Sequence, residues 1–592
     1  MDTTPAEARA RLRQAIDDRI KELEELTRAL QVRRNALVPI SRLPPETLAV
    51  IFSFLSPPAC DEELGYLSWL HVTHVCRQWR DIALDYPHLW SHIDFTNLTP
   101  DGVTEILARA KMVPLHLEMK ATYWRTPNWN VFARQLETHI SHTRRLIIAG
   151  EFHQAVLEQL LSPAPILEFF SLSDSSRSFG LSHPIIPVAL FDGVAPRLTR
   201  LELESCDISW KSPLLKGLQA LQILRPSVEA RPSLEDWLDA LNGMPQLKTL
   251  VLHSATPAVS FGDPLIPQRT ITLPSLTRFS ICASATDCTL ALAHLMLPSL
   301  TSLHVDAESS EEYGEDVQLL IPYVAQNCHS QRDSTPLQSI LLSGEATHAK
   351  MVAWTLPDVD VLAPYPTTLD HVAVSARMDF SATTDRRQWG FGTNAVILDA
   401  LLTHLPVNSI STLTTQGNTR LSKEVWLSHV PRLVMLKRVR LVPSAVGTFR
   451  QILAEDGLPD GRPRLPLLTK LILVKVSLTM RRACLLRDAL MKRMEQGAPV
   501  EDLDLRTCVA AEHAIQLLAE TVGNVQGPIQ MLKTGHPAFF NREGEISSSR
   551  EEEGTDDDEY DRPGDWDDDG DGDEDDEDDY DYYHSDPSTD EL

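Results

Sequence analysis

Paired cysteines are missing from this sequence. Eight cysteines are scattered over 592 residues, no two of them in C-x-x-C spacing. That pattern argues against a zinc module and against a disulfide framework, and reduced thiols in cytosol or nucleus are the simplest reading. Long apolar runs are missing too. No stretch reaches the roughly 18 residues that a membrane-spanning helix needs, and Met1-Asp2-Thr3-Thr4-Pro5 lacks the apolar core of a signal peptide. Catalytic signatures are likewise absent: there is no G-x-S-x-G, no phosphate loop, no H-E-x-x-H and no dinucleotide fingerprint. The expectation is a protein that makes no covalent bond itself and needs no metal or cofactor. A basic stripe suited to nucleic acid is also lacking.

Charge is present in one place. The formal net charge is -29, yet Glu551–Leu592 holds 24 acidic residues against one arginine, so the rest of the chain is nearly balanced. From about residue 536 the composition is Asp, Glu, Gly, Ser and Tyr, which cannot bury enough apolar surface to offset the entropy of ordering. A disordered acidic tail is expected over 536–592. Asp565, Asp567, Asp569, Gly570, Asp573 and Asp576 resemble a calcium loop, but with Asp at the last position and no flanking helices the match reads as chance in an Asp-rich run.

At the other end, Glu7 to Leu37 read as one helix. Ile16, Ile20, Leu23, Leu30 and Leu37 fall on alternating steps of three and four, the seam spacing of a coiled coil, with Thr27 and Arg34 interrupting it. The alternative is a lone amphipathic helix packed on its own protein. Pro39 ends the helix.

A compact helical block follows. Leu43-Pro44-Pro45-Glu46 opens a helix, with proline tolerated in the first turn and Glu46 suited to the positive helix end. Leu48, Ile51, Phe52 and Leu55 then form one apolar face, stopped by Pro57 and Pro58. A second helix is expected to carry Val72, Val75, Cys76, Trp79, Ile82 and Ala83 on one stripe. Pro87 breaks it, and His88-Leu89-Trp90 opens a third short segment. So much apolar surface on so small a unit marks a partner site.

These residues resemble the F-box domain, and the wording of the second half is most similar to the expanded F-box families of mushroom-forming fungi. The resemblance implies docking on a Skp-type adaptor and, through it, a cullin. The matching positions are Leu43, Pro44, Leu48, Ile51, Phe52, Leu55, Val75, Cys76 and Trp79. Ser56 to Ser68 makes a longer link than many family members have.

From Pro165 onward a phrase recurs, Pro-x-Leu-x-x-Leu-x-Leu. Clear copies begin at Pro196, Pro245, Pro274, Pro298 and Pro466, and weaker ones near Leu167, Leu337, Leu369, Leu436 and Val500. Spacings of about 20 to 40 residues are those of a solenoid. Leu198, Leu201, Leu203, Cys206 and Ile208 fill the pattern of a leucine-rich repeat. In that family the Cys caps backbone groups where the chain leaves the strand. Within each strand the leucines point inward and the alternate residues face the open side. Arg200, Glu202, Glu204, His304, Arg438, Arg440 and Asp504 are the candidate contacts to a client protein there.

The sequence therefore reads as a mixed α+β, α/β chain of several domains: an N-terminal helix at 1–38, a three-helix F-box at 39–95, an irregular leucine-rich-repeat-like α/β solenoid at 96–535 and the tail. The expected function is that of a substrate-recognition subunit in a Skp-cullin-F-box ubiquitin ligase. A scaffold using the F-box-like helices for assembly outside any ligase is the alternative.

Overall fold

The computed structural model describes residues 5–55, 68–121, 128–151, 154–158, 160–175, 183–257, 267–309, 314–329, 336–345, 348–356, 378–384, 393–458, 462–527 and 530–531. Contacts group Met1–Phe539 as one compact unit. The acidic tail, the calcium-loop look-alike, the repeat copy near Leu369 and residues 56–67 of the link between the first two F-box helices all lie outside the described residues.

The chain opens with α1 (Pro5–Ala36), followed by the helical block: α2 (Pro45–Ser53), α3 (Val72–Val75), α4 (Arg77–Leu84) and a short 3-10 turn at Pro87–Trp90. The expected second helix is thus two. Cys76 takes an extended backbone (φ -157°, ψ 169°) between α3 and α4. The break is tied by the Arg80 guanidinium, whose Nε donates to the Thr73 carbonyl at 2.8 Å.

Among the described residues seventeen strands then build one sheet. In chain order they are β1 (His92–Asp94), β2 (Leu115–Lys120), β3 (Thr143–Ala149), β4 (Phe169–Ser173), β5 (Arg200–Glu204), β6 (Ala220–Leu224), β7 (Thr249–His253), β8 (Arg278–Ser284) and β9 (Ser302–Ser309). The second half runs β10 (Ser339–Glu345), β11 (His348–Trp354), β12 (Met378–Thr384), β13 (Thr412–Gly417), β14 (Arg438–Leu441), β15 (Lys470–Leu473), β16 (Asp502–Asp504) and β17 (Asn524–Gln526). Neighbouring strands follow chain order and pair in parallel from β1 to β9 and again from β13 to β17. This is the signature of a repeat array, each unit stacked on the one before. It begins at His92, well ahead of Pro165.

Order breaks once. β9 pairs in parallel with β12, β12 and β10 each flank β11 in antiparallel, and β10 pairs in parallel with β13. The spatial order there is β9-β12-β11-β10-β13, so three strands enter the array in reverse order, and of these β11 runs antiparallel to its neighbours.

The recurring phrase has a plain structural meaning. Pro196, Pro245, Pro274, Pro298 and Pro466 each stand four residues ahead of the first residue of a strand. Proline cannot donate to the ladder, so it is suited to this position just outside it. The leucine two residues on (Leu198, Leu247, Leu276, Leu300, Leu468) is buried every time. Between strands, helices begin on hydroxyl caps: Ser233 before α8 (Leu234–Asn242), Ser284 before α9 (Ala285–Ala293), Ser422 before α12 (Lys423–His429) and Thr479 before α14 (Met480–Glu495) each accept from a first-turn N–H. A hydroxyl cap of this kind is worth about 1 kcal/mol. The elements between these are α5 (Pro100–Ala110), α6 (Trp129–His139), α7 (Gln154–Glu158), α10 (Glu315–His329), α11 (Thr393–His404), α13 (Pro443–Leu453) and α15 (Glu512–Ala519).

The chain leaves several strands through a left-handed residue: Ser205 (φ 52°), Arg225 (φ 49°) and Ser254 (φ 55°). Each of these N–H groups donates to the next strand's last or near-last carbonyl, on Leu224, His253 and Cys282 at 2.7–2.9 Å. Cys206 follows in this turn. Its Sγ lies 3.2 Å from the Glu204 carbonyl and 3.8 Å from that of Leu172, and Cys508 Sγ lies 3.2 Å from the Leu473 carbonyl. Both cysteines cap the turn as the repeat pattern implies, and burial raises the pKa of both thiols.

Candidate functional site

Two surfaces carry the residues singled out in the sequence. In the helical block the structure divides them. Leu48 and Phe52 are buried, Leu43 and Trp79 pack partly buried on the same core, and Cys76 is half-buried. Phe52 and Trp79 rings lie 5.0 Å apart. Trp69 and Trp90 meet edge to face at 5.1 Å, Trp90 Nε1 donates to the Ala83 carbonyl at 2.8 Å, and the Arg109 guanidinium of α5 covers the Trp90 ring at 4.6 Å. The block therefore shares its core with the first repeat, and one continuous set of buried residues runs from Leu48 to Val522. What remains on the surface is Pro44, Ile51, Leu55 and Val75, joined by Val50 and Phe54, which sequence reasoning passed over. Phe54, at 74% exposed, is the most open of the aromatic and aliphatic side chains on and just after α2. Solvating an aromatic ring to this extent is unfavourable by about 1–2 kcal/mol relative to burying it. The periodicity hid the division because a helix of this length with apolar residues on two sides has a core face and a second apolar face, and spacing alone does not rank them.

The second surface is the open face of the sheet. Register places Glu202, Gln222, Val251, Ser280, His304 and Asp379 side by side across β5 to β12. The same row continues through Val352, Leu341, Thr414, Arg440 and Ile472 to Asp504. Four of the candidate client contacts, Glu202, His304, Arg440 and Asp504, thus stand in one row. Arg200 and Arg438 lie in the row on one side of it and Glu204 in the row on the other.

The charges at the two ends of the row are partnered. Arg200 Nη2 is 2.5 Å from Glu202 Oε1, Arg225 pairs with Glu204, and Ser173 Oγ donates to Glu204 at 2.9 Å. The early edge is therefore a set of ion pairs rather than bare acidic charge. Beside it Arg145 stacks on Phe169 at 3.8 Å, with Arg200 over the same ring at 5.4 Å. At the far end Arg506 grips Asp504 through Nε and Nη2 at 2.7–3.1 Å.

The centre of the row was not legible. Asp379 is 3% exposed and lies between His304 (Nδ1 to Oδ2, 3.3 Å) and Lys350 (Nζ to Oδ1, 3.2 Å). Burial pushes its carboxyl up, but the two neighbours more than offset this and hold it below the usual range. Next to it Ser381 Oγ donates to Asp306 Oδ1 at 2.6 Å. Leu341, Val352 and Trp354 form a small buried apolar cluster on the same face. Lys350, Asp379 and Ser381 come from β11 and β12, two of the strands that enter in reverse order. The signal that finds them is the pairing, not the repeat phrase.

At the start of the array β1 and β2 set His92 beside His116 and Asp94 beside Glu118. Burial, with His92 and Arg145 nearby, holds His116 down at about 4. A hydrogen bond from His92 and the ammonium of Lys120 hold Glu118 down at about 2. Protonating His116 is thus penalised in the fold but not in the unfolded chain, so stability is full above pH 6.5 and declines as pH falls toward 4. Discounted for solvent contact, the loss from this one group is about 1–2 kcal/mol. Glu118 keeps its contribution above pH 4.5 and loses it only toward pH 2. Urea denaturation at pH 7.5 and pH 5 is expected to show the fall, and His116→Gln is expected to flatten it. An unchanged slope in that variant would place the sensitivity elsewhere.

A family model described as F-box-like matches residues 40–96, so an F-box-like domain stands ahead of the repeats. No curated protein matches the chain. Among solved structures, an internalin from Listeria monocytogenes aligns at 11% identity over 68% of this chain and 88% of its own, with a TM-score of 0.25. A score that low carries no argument, and the repeat fold stands on the strand order and phrase spacing above. The chain is thus an F-box-like domain joined to a leucine-rich-repeat-like, mixed α/β parallel-strand array.

Proposed function

We propose that this chain is the substrate-recognition subunit of a Skp-cullin-F-box ubiquitin ligase, similar to those of the expanded F-box families of mushroom-forming fungi. The observation that carries the reading is the second apolar face of α2. Within the 40–96 match, Val50, Ile51 and Phe54 are exposed where Leu48 and Phe52 already fill the core. A Skp-type adaptor covering that face would gain the burial it lacks. The cullin would follow through the adaptor. The open face of the repeats would hold a client, and tethering client and ligase core raises their effective concentration without any chemistry by this chain. The working compartment on this reading is cytosol or nucleus.

Purification of the tagged full chain with proteasome inhibitor present tests it. Adaptor and cullin together support the ligase reading. Adaptor without cullin supports assembly outside a ligase instead. The client face has its own test. Arg438 and Arg440 project from β14 beside Lys470 and Ile472 of β15, and reversing both to Glu is expected to weaken client capture severalfold, mostly through a slower on-rate. Adaptor capture, from residues far upstream, is expected to stay the same. Equal loss of both would indicate misfolding, and no loss of either would remove this charge from client recognition.

A further inference from the structure

We propose that α1 is a dimerisation element, pairing two copies of this chain in a parallel, two-stranded coiled coil along the seam from Ile16 to Leu37. From Arg9 to Ala36 every side chain is exposed except Asn35, which is half-buried. Ile16, Ile20, Leu23 and Leu30 are 48–58% exposed and Leu37 is 75% exposed. The reading in which this helix packs on its own protein therefore fails for the described residues. An apolar seam this long, left in water, gives a helix little stability, because most helical stability comes from packing one face.

The seam itself names its occupant. Ile16, Leu23, Leu30 and Leu37 recur every seventh residue, and Ile20 stands at the intervening position with a β-branched side chain. Isoleucine at the first core position of the heptad with leucine at the fourth favours two strands, and this seam has Ile20 at the first and Leu23, Leu30 and Leu37 at the fourth. Orientation follows from the flanks. In the heptad set by this seam, Arg19 and Glu24 occupy the two flanking positions, five residues apart. A parallel pair sets Arg19 beside Glu24 of the partner subunit, twice by symmetry. The antiparallel register that opposes Ile20 and Leu30 would instead set Glu24 against itself and Arg19 against Arg33, like against like. Within one helix Arg19 is already turned toward acid, pairing with Glu22 one turn on. Thr27 and Arg34 interrupt the seam. Polar seam residues lower stability while fixing register, and Arg34, near the end, can carry its charge out along its aliphatic stem. The pairing is accordingly a modest one, dissociating in the micromolar range.

Sedimentation velocity of the full chain across the micromolar range is expected to show a monomer–dimer equilibrium. Leu23→Asp with Leu30→Asp is expected to give monomer only, with the melting of the body unchanged because α1 packs so little against it. Arg19→Glu and Glu24→Arg, which leave the seam and the helix intact, are each expected to weaken the dimer about tenfold, and the two together to restore it. A full chain that remains monomeric throughout, or a dimer indifferent to the two leucine changes, overturns the proposal. A charge swap that fails to restore the dimer overturns its parallel orientation. None of these readouts involves the adaptor, so the outcome stands apart from the ligase reading.

Discussion

Replacing Ile51 and Phe54 with aspartate is expected to abolish adaptor capture while leaving the fold intact. Both side chains stand on the open side of α2, at 40% and 74% exposure, so neither supports the core. Anchoring apolar residues at an interface cost about 2 kcal/mol each when removed, and two together amount to a loss of roughly a thousandfold. The control is Phe52→Ala. Phe52 is 1% exposed and packs on Trp79 at 5.0 Å, so its truncation is expected to cost about 3–5 kcal/mol of stability. Capture would then be lost through unfolding rather than through contact. Titration of the purified adaptor, read beside a circular-dichroism melt, separates the two. A folded Ile51→Asp, Phe54→Asp variant that still binds the adaptor would sink the ligase reading.

Arg493→Met is expected to be the most damaging single change in the second half of the array. Arg493 lies in α14 and is 1% exposed. Its Nη1 donates to the Arg464 carbonyl at 2.6 Å and its Nη2 to those of Leu465 and Leu468. Among the described residues its partners are these carbonyls and no carboxylate, and burial pulls its guanidinium down to about 10. The charge is held by backbone dipoles of the loop that leads into β15. Removing it strands those carbonyls in the core at about 1–3 kcal/mol each, for a total of roughly 3–5 kcal/mol. Arg432 does the same two repeats earlier, reaching the Leu402, Thr403 and Leu405 carbonyls at the end of α11. Urea denaturation of the Arg493→Met variant checks the size of the effect, and a loss under about 1 kcal/mol would mean that water replaces the guanidinium.

How much was legible in the sequence follows from what repeats. The Pro-x-Leu phrase places β5, β7, β8, β9 and β15 because proline and leucine hold fixed offsets from each strand. It misses β6 and β13, whose approach, Gly217-Leu218-Gln219 and Ser409-Ile410-Ser411, has no proline at that offset. It also misses β1 to β3, which run ahead of Pro165. The helical block is legible as apolar faces, but the break at Cys76 is not, since an extended residue leaves no mark on a helical stripe. On the open face the alternation names Glu202, His304, Arg440 and Asp504, and register confirms that they share a row. It does not give their ion-pair partners. Those come from residues brought close by pairing alone: Asp379 for His304, Arg225 for Glu204. An array read one repeat at a time cannot anticipate strands that arrive out of turn.

Those out-of-turn strands bear on how the molecule comes apart. A solenoid whose strands follow chain order can unravel from either end, one unit at a time, each loss leaving the remainder intact. Between β9 and β13 that route is closed. Peeling from the C-terminal end exposes β10 once β13 is gone, yet the chain that leads into β10 comes from β9, on the far side of β11 and β12. Peeling from the N-terminal end meets the mirror problem, because β12 leads on to β13 across β11 and β10. The five strands β9 to β13 are a clasp that must open in one step. Amide exchange should report a single opening event there, slower than in the repeats at either side. Pulling on the two ends should give a run of small extensions interrupted by one large one. The clasp also divides the open face of the sheet into two stretches that can loosen independently while the polar centre at Asp379 stays fixed between them.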